Sequence, residues 1–319
     1  MNKIIVYGDF FLDEYIEGNC SRISPERPIP VLEYKGATIN AGGAGNVIIN
    51  LKNIGADVLP IGFLGKDATS DKIISLLKKK KINTYYIYRN KNINGISKTR
   101  IISGQQQIVR IDKELEYFYQ SKKYSNHICK IFASLTNNNN VKFFIISDYG
   151  KGCAEPKLIK KLIKICNEKN ISVIIDPSKK KNNIDTYSNS FAITPNINEL
   201  KLINPNLKES ELDILKTAKK IIKNNNIKNI IITRGEKGIS MINKNKNYKF
   251  KPLQKQVFDV SGAGDTVIAV ITHLLNKGYN ILKAVKVANL CAGHVVGLLN
   301  TQPISKKDFM YYLKKHSKY

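Results

Sequence analysis

Asp265 stands in the run Asp259-Val260-Ser261-Gly262-Ala263-Gly264-Asp265-Thr266, directly ahead of a long apolar stretch with helical spacing. Small residues let a backbone pass close to an anion, so that its free N–H groups point at it. A helix opening immediately afterwards adds the positive end of its dipole. A carboxylate set into such an anion-holding turn needs a reason to be there. A base beside an anion hole can take the proton of a substrate hydroxyl while the N–H groups stabilise charge on a transferring phosphoryl group. The chemistry these residues suggest is phosphoryl transfer to a small-molecule alcohol, with Asp265 as base and Gly262, Ala263 and Gly264 as the cradle.

Other polar clusters fall at the ends of apolar runs. Gly8-Asp9, with Asp13 close behind, follows the first of them. Ala41-Gly42-Gly43-Ala44-Gly45-Asn46 is a glycine-rich turn entering a helix, and Asn46 offers both donor and acceptor to sugar hydroxyls. It is not Gly-x-Gly-x-x-Gly, which disfavours a nicotinamide dehydrogenase. Ser147-Asp148-Tyr149-Gly150-Lys151-Gly152, Asp176-Pro177-Ser178-Lys179, Thr194 to Glu199 and Thr233 to Gly238 close four further runs. Any one of these is explicable as an ordinary turn, whereas four at successive strand ends suggest a site. Asn196 and Glu199 lie one helical turn apart, a spacing that suits water-mediated magnesium binding.

These residues need a scaffold, and the chain supplies an alternating one. Continuous apolar runs at 4–7, 58–63, 143–147, 173–176, 191–194 and 230–233 read as buried strands. Helical patterns at 44–53, 70–80, 156–169, 210–224, 265–275, 281–296 and roughly 306–315 accompany them. The expected class is α/β: three layers, with a mostly parallel central sheet binding its ligands at the strands' carboxyl ends. Two segments break the rhythm. Residues 12–40 carry Pro25, Pro28 and Pro30 among short extended pieces, and 96–112 read as two strands around a turn near Gly104. They are expected to form a small β-sheet lid, with an edge extension of the main sheet as the alternative. Residues 1–319 are otherwise expected to form one domain, without linker or internal repeat.

Composition removes several classes. The 52 basic and 25 acidic residues leave a formal charge of +27. The lysines, however, are dispersed among Asn, Ile and Tyr, as an AT-rich genome would encode them. No nucleic-acid motif accompanies them, and no nucleic-acid partner is expected. Such a surface still attracts phosphorylated substrates. The five cysteines are widely spaced without a Cys-x-x-Cys pair, and the four histidines form no ligand motif. No apolar run approaches the ~20 residues of a membrane span. A strand-like run from Lys3 leaves no room for a secretory signal, so a cytoplasmic location is expected, with no membrane partner.

Together these motifs resemble the ribokinase (PfkB) family of sugar kinases over nearly the whole chain, from Gly8-Asp9 to Ala292-Gly293. Both family signatures are matched, at Gly42 to Asn46 and at Asp259 to Asp265, and Ser261 keeps a hydroxyl where threonine is more usual. Within the family, residues 21–31, Lys98-Thr99-Arg100, Gln105 to Gln107, Arg110-Ile111-Asp112, 147–152 and 194–196 resemble the branch acting on D-glycero-D-manno-heptose 7-phosphate. Arg22, Lys98, Arg100 and Arg110 would give the lid a cationic face suited to a phosphorylated sugar.

The resemblance implies transfer of the ATP γ-phosphoryl to O1 of the heptose phosphate, with Mg2+ bridging the phosphates. By the same likeness Asn196, Ile197, Asn198, Glu199, Thr233, Gly235, Gly238 and Asn289 lie along the nucleotide. Asp13, Gly42, Gly43 and Asn46 grip the sugar, and Arg100, Gln107, Arg110, Asp148 and Lys151 complete the substrate side. A monovalent cation such as K+ beside Asp259 and Ser261 and a homodimer through the lid are also implied. A stand-alone kinase is expected, since no adenylyltransferase pattern follows residue 315. Kinases of the same family with another sugar, sugar phosphate or nucleoside as acceptor remain alternatives, as does a non-catalytic sugar- or nucleotide-binding regulator.

Overall fold

The computed structural model describes residues 2–104, 106–114, 122–138, 140–178, 184–253, 260–298 and 302–315. Nine strands form the main sheet: β1 (Lys3–Gly8), β4 (Val58–Gly65), β5 (Ile87–Asn90), β8 (Val141–Ser147), β9 (Ser172–Asp176), β10 (Ala192–Ile193), β11 (Asn229–Thr233), β12 (Ile239–Asn243) and β13 (Asn247–Phe250). Their order is β13-β12-β11-β10-β9-β8-β1-β4-β5. All neighbours run parallel except β11–β12 and β12–β13. Register puts Gly8 opposite Ser147 and Ser147 opposite Asp176, so three polar turns leave the sheet at one level.

Alternating side chains feed two cores, one on each side of the sheet. Ile4, Val6, Ile145 and Ile174 pack with α1 (Ala44–Asn53), α2 (Ala68–Lys79), α7 (Ala263–Asn276), α8 (Ile281–Val295) and α9 (Lys306–Lys315). Ile5, Tyr7, Phe144, Ile146 and Ile175 pack with α3 (Lys122–Asn138), α4 (Pro156–Glu168), α5 (Ile197–Ile203) and α6 (Glu211–Asn225). Covered on both faces, the strands need no polar alternation, and their continuous apolar runs reflect that. Helix α7 is buried on all sides from Asp265 to Leu274, which accounts for its largely apolar sequence.

A second, four-stranded sheet has the order β3-β2-β6-β7, built from β2 (Phe10–Ile23), β3 (Pro30–Gly43), β6 (Ile96–Ser103) and β7 (Gln106–Lys113). It is a separate sheet, so the edge-extension alternative does not hold. The extended pieces around the prolines are not short: β2 and β3 are 14 residues each, with Pro25 and Pro28 confined to the connection and Pro30 opening β3. That position keeps both connection prolines out of the hydrogen-bonded ladder. Helix α3 was not expected from its polar, Asn-rich sequence. Its buried stripe of Ile128, Phe132 and Leu135 explains why it forms. Among the described residues no helix is long and apolar enough to cross a membrane.

Candidate active site

Helix α7 begins at Ala263, after Gly262 adopts the left-handed conformation at φ 77°. Asp265 therefore lies in the first turn, where N–H groups have no carbonyl partner within the helix. Its side chain is nonetheless buried, at 3% exposure. Asn46 Nδ2 donates to Asp265 Oδ2 at 2.8 Å, and the Tyr149 hydroxyl donates to Oδ1 at 2.8 Å. Two donors from different elements thus fix the carboxylate. Gly264 beside it has ordinary helical backbone, and a Cβ built there meets nothing within 4 Å. The fold itself has no need of glycine at that position. Open space over the first turn's N–H groups is what an anion would require.

Behind Asn46 runs a buried amide chain. Asn50 Oδ1 accepts the Ile304 N–H at 2.9 Å, and Asn50 Nδ2 donates to Asn46 O at 2.9 Å and Asn46 Oδ1 at 3.1 Å. The Thr266 hydroxyl also meets Asn50 Oδ1, at 3.3 Å. Since a main-chain N–H can only donate, the sense of every amide in the chain is fixed. Asn46 must turn its NH2 to Asp265.

Tyr149 comes from the turn after β8, which Asp9 builds. Asp9 accepts the N–H groups of Tyr149, Lys151 and Cys153 at 3.0, 3.1 and 3.0 Å. Asp148 takes the Gly150 N–H at 2.8 Å and the Tyr187 hydroxyl at 2.6 Å. Asp148, expected on the substrate, is therefore buried and serves the turn. Burial first, then the nearby Asp265 and Asp176 carboxylates, push the Tyr149 phenol well above its usual pKa. It stays a donor.

The small sheet meets this turn through Phe11, whose ring stands edge-on to Tyr149 at 5.1 Å, and through Lys98, whose ammonium lies 4.5 Å from the Phe11 centroid. Asp13 is buried and paired with Arg100 at 2.7 Å, and that guanidinium also stacks on Tyr15 at 5.1 Å. A Cβ on Gly42 would come within 2.2 Å of Phe11 and 2.4 Å of Asp13 Oδ2. One on Gly43 would come within 2.4 Å of the Asp9 carbonyl oxygen. These glycines seat Phe11 and Asp13 and close the chain onto Asp9. Arg110 is half-exposed in a fork with Asp112, Gln107 is exposed opposite Ile102, and Lys151 is paired with Glu114. The structure joins Asp265, Asn46, Tyr149 and Phe11 through direct contacts, with Asp13 and Arg100 on the adjoining strands. Arg110 and Gln107 stand on the outermost strand.

On the nucleotide side, Asn196 and Glu199 face each other in a capping box. Asn196 Oδ1 accepts the Glu199 N–H, and Glu199 Oε2 accepts the Asn196 N–H. Thr233 bridges to Asn196 in parallel fashion, bringing two of the expected nucleotide turns together. Ile197 and Asn198 open α5, and Gly235 lies in the short turn closed by Gly238. Gly238 at φ 76° is required by the Phe250 carbonyl, 2.1 Å from any added Cβ. Asn289 Nδ2 donates to Lys251 O at 2.6 Å, pinning α8 to the segment leading towards Gly262. Asp259 and Lys179 lie outside the described residues; Ser261 is half-buried immediately before Gly262. The oxygen donors of Asn196 and Glu199 are of the hard type Mg2+ takes, and being mutually engaged they suit contact through water.

Sequence reasoning overlooked Tyr149, Asn50 and Phe11 as site residues. Asn50 had a usable signal, standing four residues after Asn46 on the same helix face. Tyr149 stood inside the 147–152 cluster but without a sign of its own role, and Phe11 had no signal, because their roles depend on how two sheets meet.

A parallel sheet covered on both sides, a second small sheet, and a carboxylate held in a helix-start cradle define a phosphotransferase of ribokinase-like architecture. The chain belongs to the pfkB family of carbohydrate kinases, whose family model matches residues 1–308. It is accordingly a phosphotransferase whose acceptor is a hydroxyl group of a carbohydrate. Among curated proteins it is 36% identical over 312 residues to the bifunctional protein HldE of Aliarcobacter butzleri, covering 97% of this chain and 64% of that protein. It is 35% identical over 306 residues to HldE of Haemophilus influenzae strain PittEE, covering 95% and 62%. The chain thus spans less than two thirds of the length of these relatives. Solved structures with the same fold include Escherichia coli phosphofructokinase-2 in complex with potassium, at TM-score 0.79 and 16% identity with full coverage of both chains. Thermotoga maritima ribokinase aligns at TM-score 0.77 and 20% identity over 98% of this chain and 100% of that one.

Proposed function

We propose that this chain is an ATP-dependent kinase that phosphorylates O1 of D-glycero-D-manno-heptose 7-phosphate, giving the 1,7-bisphosphate. One observation carries the phosphotransfer reading: buried Asp265, gripped by Asn46 and Tyr149, stands beside an open Gly264 position in the first turn of α7. The heptose assignment is supported by the segments at 21–31, 98–100, 110–112 and 147–152, and by relatives named HldE at 36% and 35% identity.

In the proposed reaction Asp265 accepts the O1 proton as O1 attacks the γ-phosphorus. The bond from that phosphorus to the β,γ-bridging oxygen breaks, and its electron pair leaves with ADP. The N–H groups of Ala263, Gly264 and Asp265 take the charge of the transferring group. Asn196, Ile197, Asn198, Glu199, Thr233, Gly235, Gly238 and Asn289 are assigned to the nucleotide. Glu199 and Asn196 would hold Mg2+ through water, and the ion would neutralise phosphate charge. The K+ reading rests on Ser261 and on family likeness. Asp13 and Asn46 are assigned to the sugar, and Arg100 to its phosphate, with Arg110, Gln107 and Lys151 towards the rim. The small sheet acts as a lid on the single catalytic domain, and the use of ATP fits a cytoplasmic enzyme.

Exposed Val109 and Ile111 share the face of β7 opposite Arg110, with Ile23 and Tyr34 also exposed on the same sheet and Ile29 exposed in the β2–β3 connection. This apolar surface supports a homodimer through the lid. An ADP-release assay across sugar 7-phosphates, 6-phosphates and free sugars tests the function. Preference for the heptose 7-phosphate is expected, and equal or better use of a free sugar or of fructose 6-phosphate would overturn the assignment.

A further inference from the structure

We propose that Tyr149 is a positioning residue that ties the base to the lid, its hydroxyl holding Asp265 in the reactive orientation and its ring held by Phe11 and Lys98. The inference rests on Asp265 being the base, as proposed above.

Three observations place Tyr149 between the two parts. Its hydroxyl reaches Asp265 Oδ1 at 2.8 Å, while Asn46 Nδ2 reaches Oδ2 at 2.8 Å. Its ring meets Phe11 of β2 edge-on at 5.1 Å, while Lys98 of β6 lies 6.0 Å from its centroid. Its main chain is clamped from below, where Asp9 accepts the N–H groups of Tyr149, Lys151 and Cys153. The phenol is therefore fixed at both ends, and movement of β2 or β6 relative to the main sheet reaches Asp265 through one rigid ring.

The chemistry of that contact has two opposed consequences. A hydroxyl donated to a carboxylate favours the charged form and lowers its basicity. It also restricts the carboxylate to one arrangement, with a lone pair left for the substrate hydroxyl. A more basic carboxylate recovers only part of its gain as rate, whereas a displaced one loses the aligned geometry entirely. Positioning is the larger effect. The charged groups facing this contact are Asp9 and Asp13 from the first strands, Asp176 from the end of β9, and Lys98 from β6. None is removed when the tyrosine hydroxyl is, so a change in titration after that substitution reports on Asp265.

Tyr149→Phe keeps the ring and removes the hydroxyl. The expected result is a kcat lower by roughly tenfold with the KM for the sugar phosphate within about threefold, and a melting temperature lowered only as far as the loss of one donor to a buried carboxylate requires. The acid limb of the kcat–pH profile should move to higher pH, as the carboxylate loses a donor. In the Asp265→Asn background the same substitution should have no further effect, because its route to the reaction is gone. Wild-type kcat with an unmoved acid limb overturns the proposal. So does a full additional loss in the double variant, which would show that Tyr149 acts independently of Asp265. Near-normal turnover of Asp265→Asn alone would instead remove the reading on which the proposal stands.

Discussion

Asn50 Oδ1 accepts the Ile304 N–H at 2.9 Å, and that bond fixes the direction of a hydrogen-bond chain ending on Asp265. A loop far along the sequence thereby decides which end of the Asn46 amide faces the carboxylate. With the amide reversed, a carbonyl oxygen would meet the charge.

Asn50→Asp tests this directly. The substituted side chain still accepts from Ile304 but cannot donate, so an oxygen faces both Asn46 O and Asn46 Oδ1. The cost of a buried unsatisfied group is about 1–3 kcal/mol. We expect a lower melting temperature and a kcat reduced at least tenfold, with ATP binding retained by isothermal titration. A lower melting temperature with undiminished kcat would confine the chain to stability.

Gly264→Ala separates the needs of the fold from those of the ligand. A Cβ meets nothing within 4 Å, and alanine is the better helix former by roughly 0.5–1 kcal/mol. Stability should be equal or higher. Turnover should fall by at least tenfold, because the methyl group fills the space assigned to the transferring phosphoryl. Unchanged turnover in an ADP assay would move the cradle elsewhere.

Arg100 and Arg110 should differ. Arg100 is buried against Asp13 and Tyr15, whereas Arg110 is half-exposed and forked with Asp112. Arg100→Ala removes a charge and leaves Asp13 without that partner, so the KM for the sugar phosphate should rise tenfold or more while the KM for ATP changes little. Arg110→Ala should raise it only a few-fold, as befits an exposed pair. Equal effects of the two on both substrates would deny the lid its role as phosphate reader.

His273 gives the protein a defined acid sensitivity. It lies in the last turn of α7, with Nδ1 lacking a partner among the described residues. Burial, aided by Lys277, lowers its pKa from 6.5 to about 4. In that window the unfolded chain binds the proton and the folded chain does not. Stability is therefore fully present above about 6.5 and declines as pH falls towards 4, by about 3 kcal/mol in all at 1.36 kcal/mol per unit. His273→Gln should flatten the dependence of melting temperature on pH between those values. An identical slope in wild type and variant would place the sensitivity in other groups.

The main sheet was legible because its strands are buried on both faces, so β1, β4, β8, β9 and β11 appear as uninterrupted apolar runs. The glycine turn around Asp265 was legible because anion holding leaves small residues in sequence order. The partners of Asp265 were harder to see. Asn46 and Asp265 are 219 residues apart, and Tyr149 and Asp265 are 116 apart. Asp9 and Asp148 looked like ligand-facing carboxylates, yet both are consumed by the turn that carries Tyr149. A carboxylate that binds substrate and one that binds main-chain N–H groups have the same sequence signature. Only burial and partners tell them apart.

The most direct test is Asp265→Asn, assayed for both ATP binding and turnover of the heptose 7-phosphate. The amide keeps the size of the side chain and removes its capacity to take the hydroxyl proton. The account predicts near-normal ATP affinity with turnover lower by the ~10²–10⁴ of a lost general base. Turnover close to that of the wild type would contradict it.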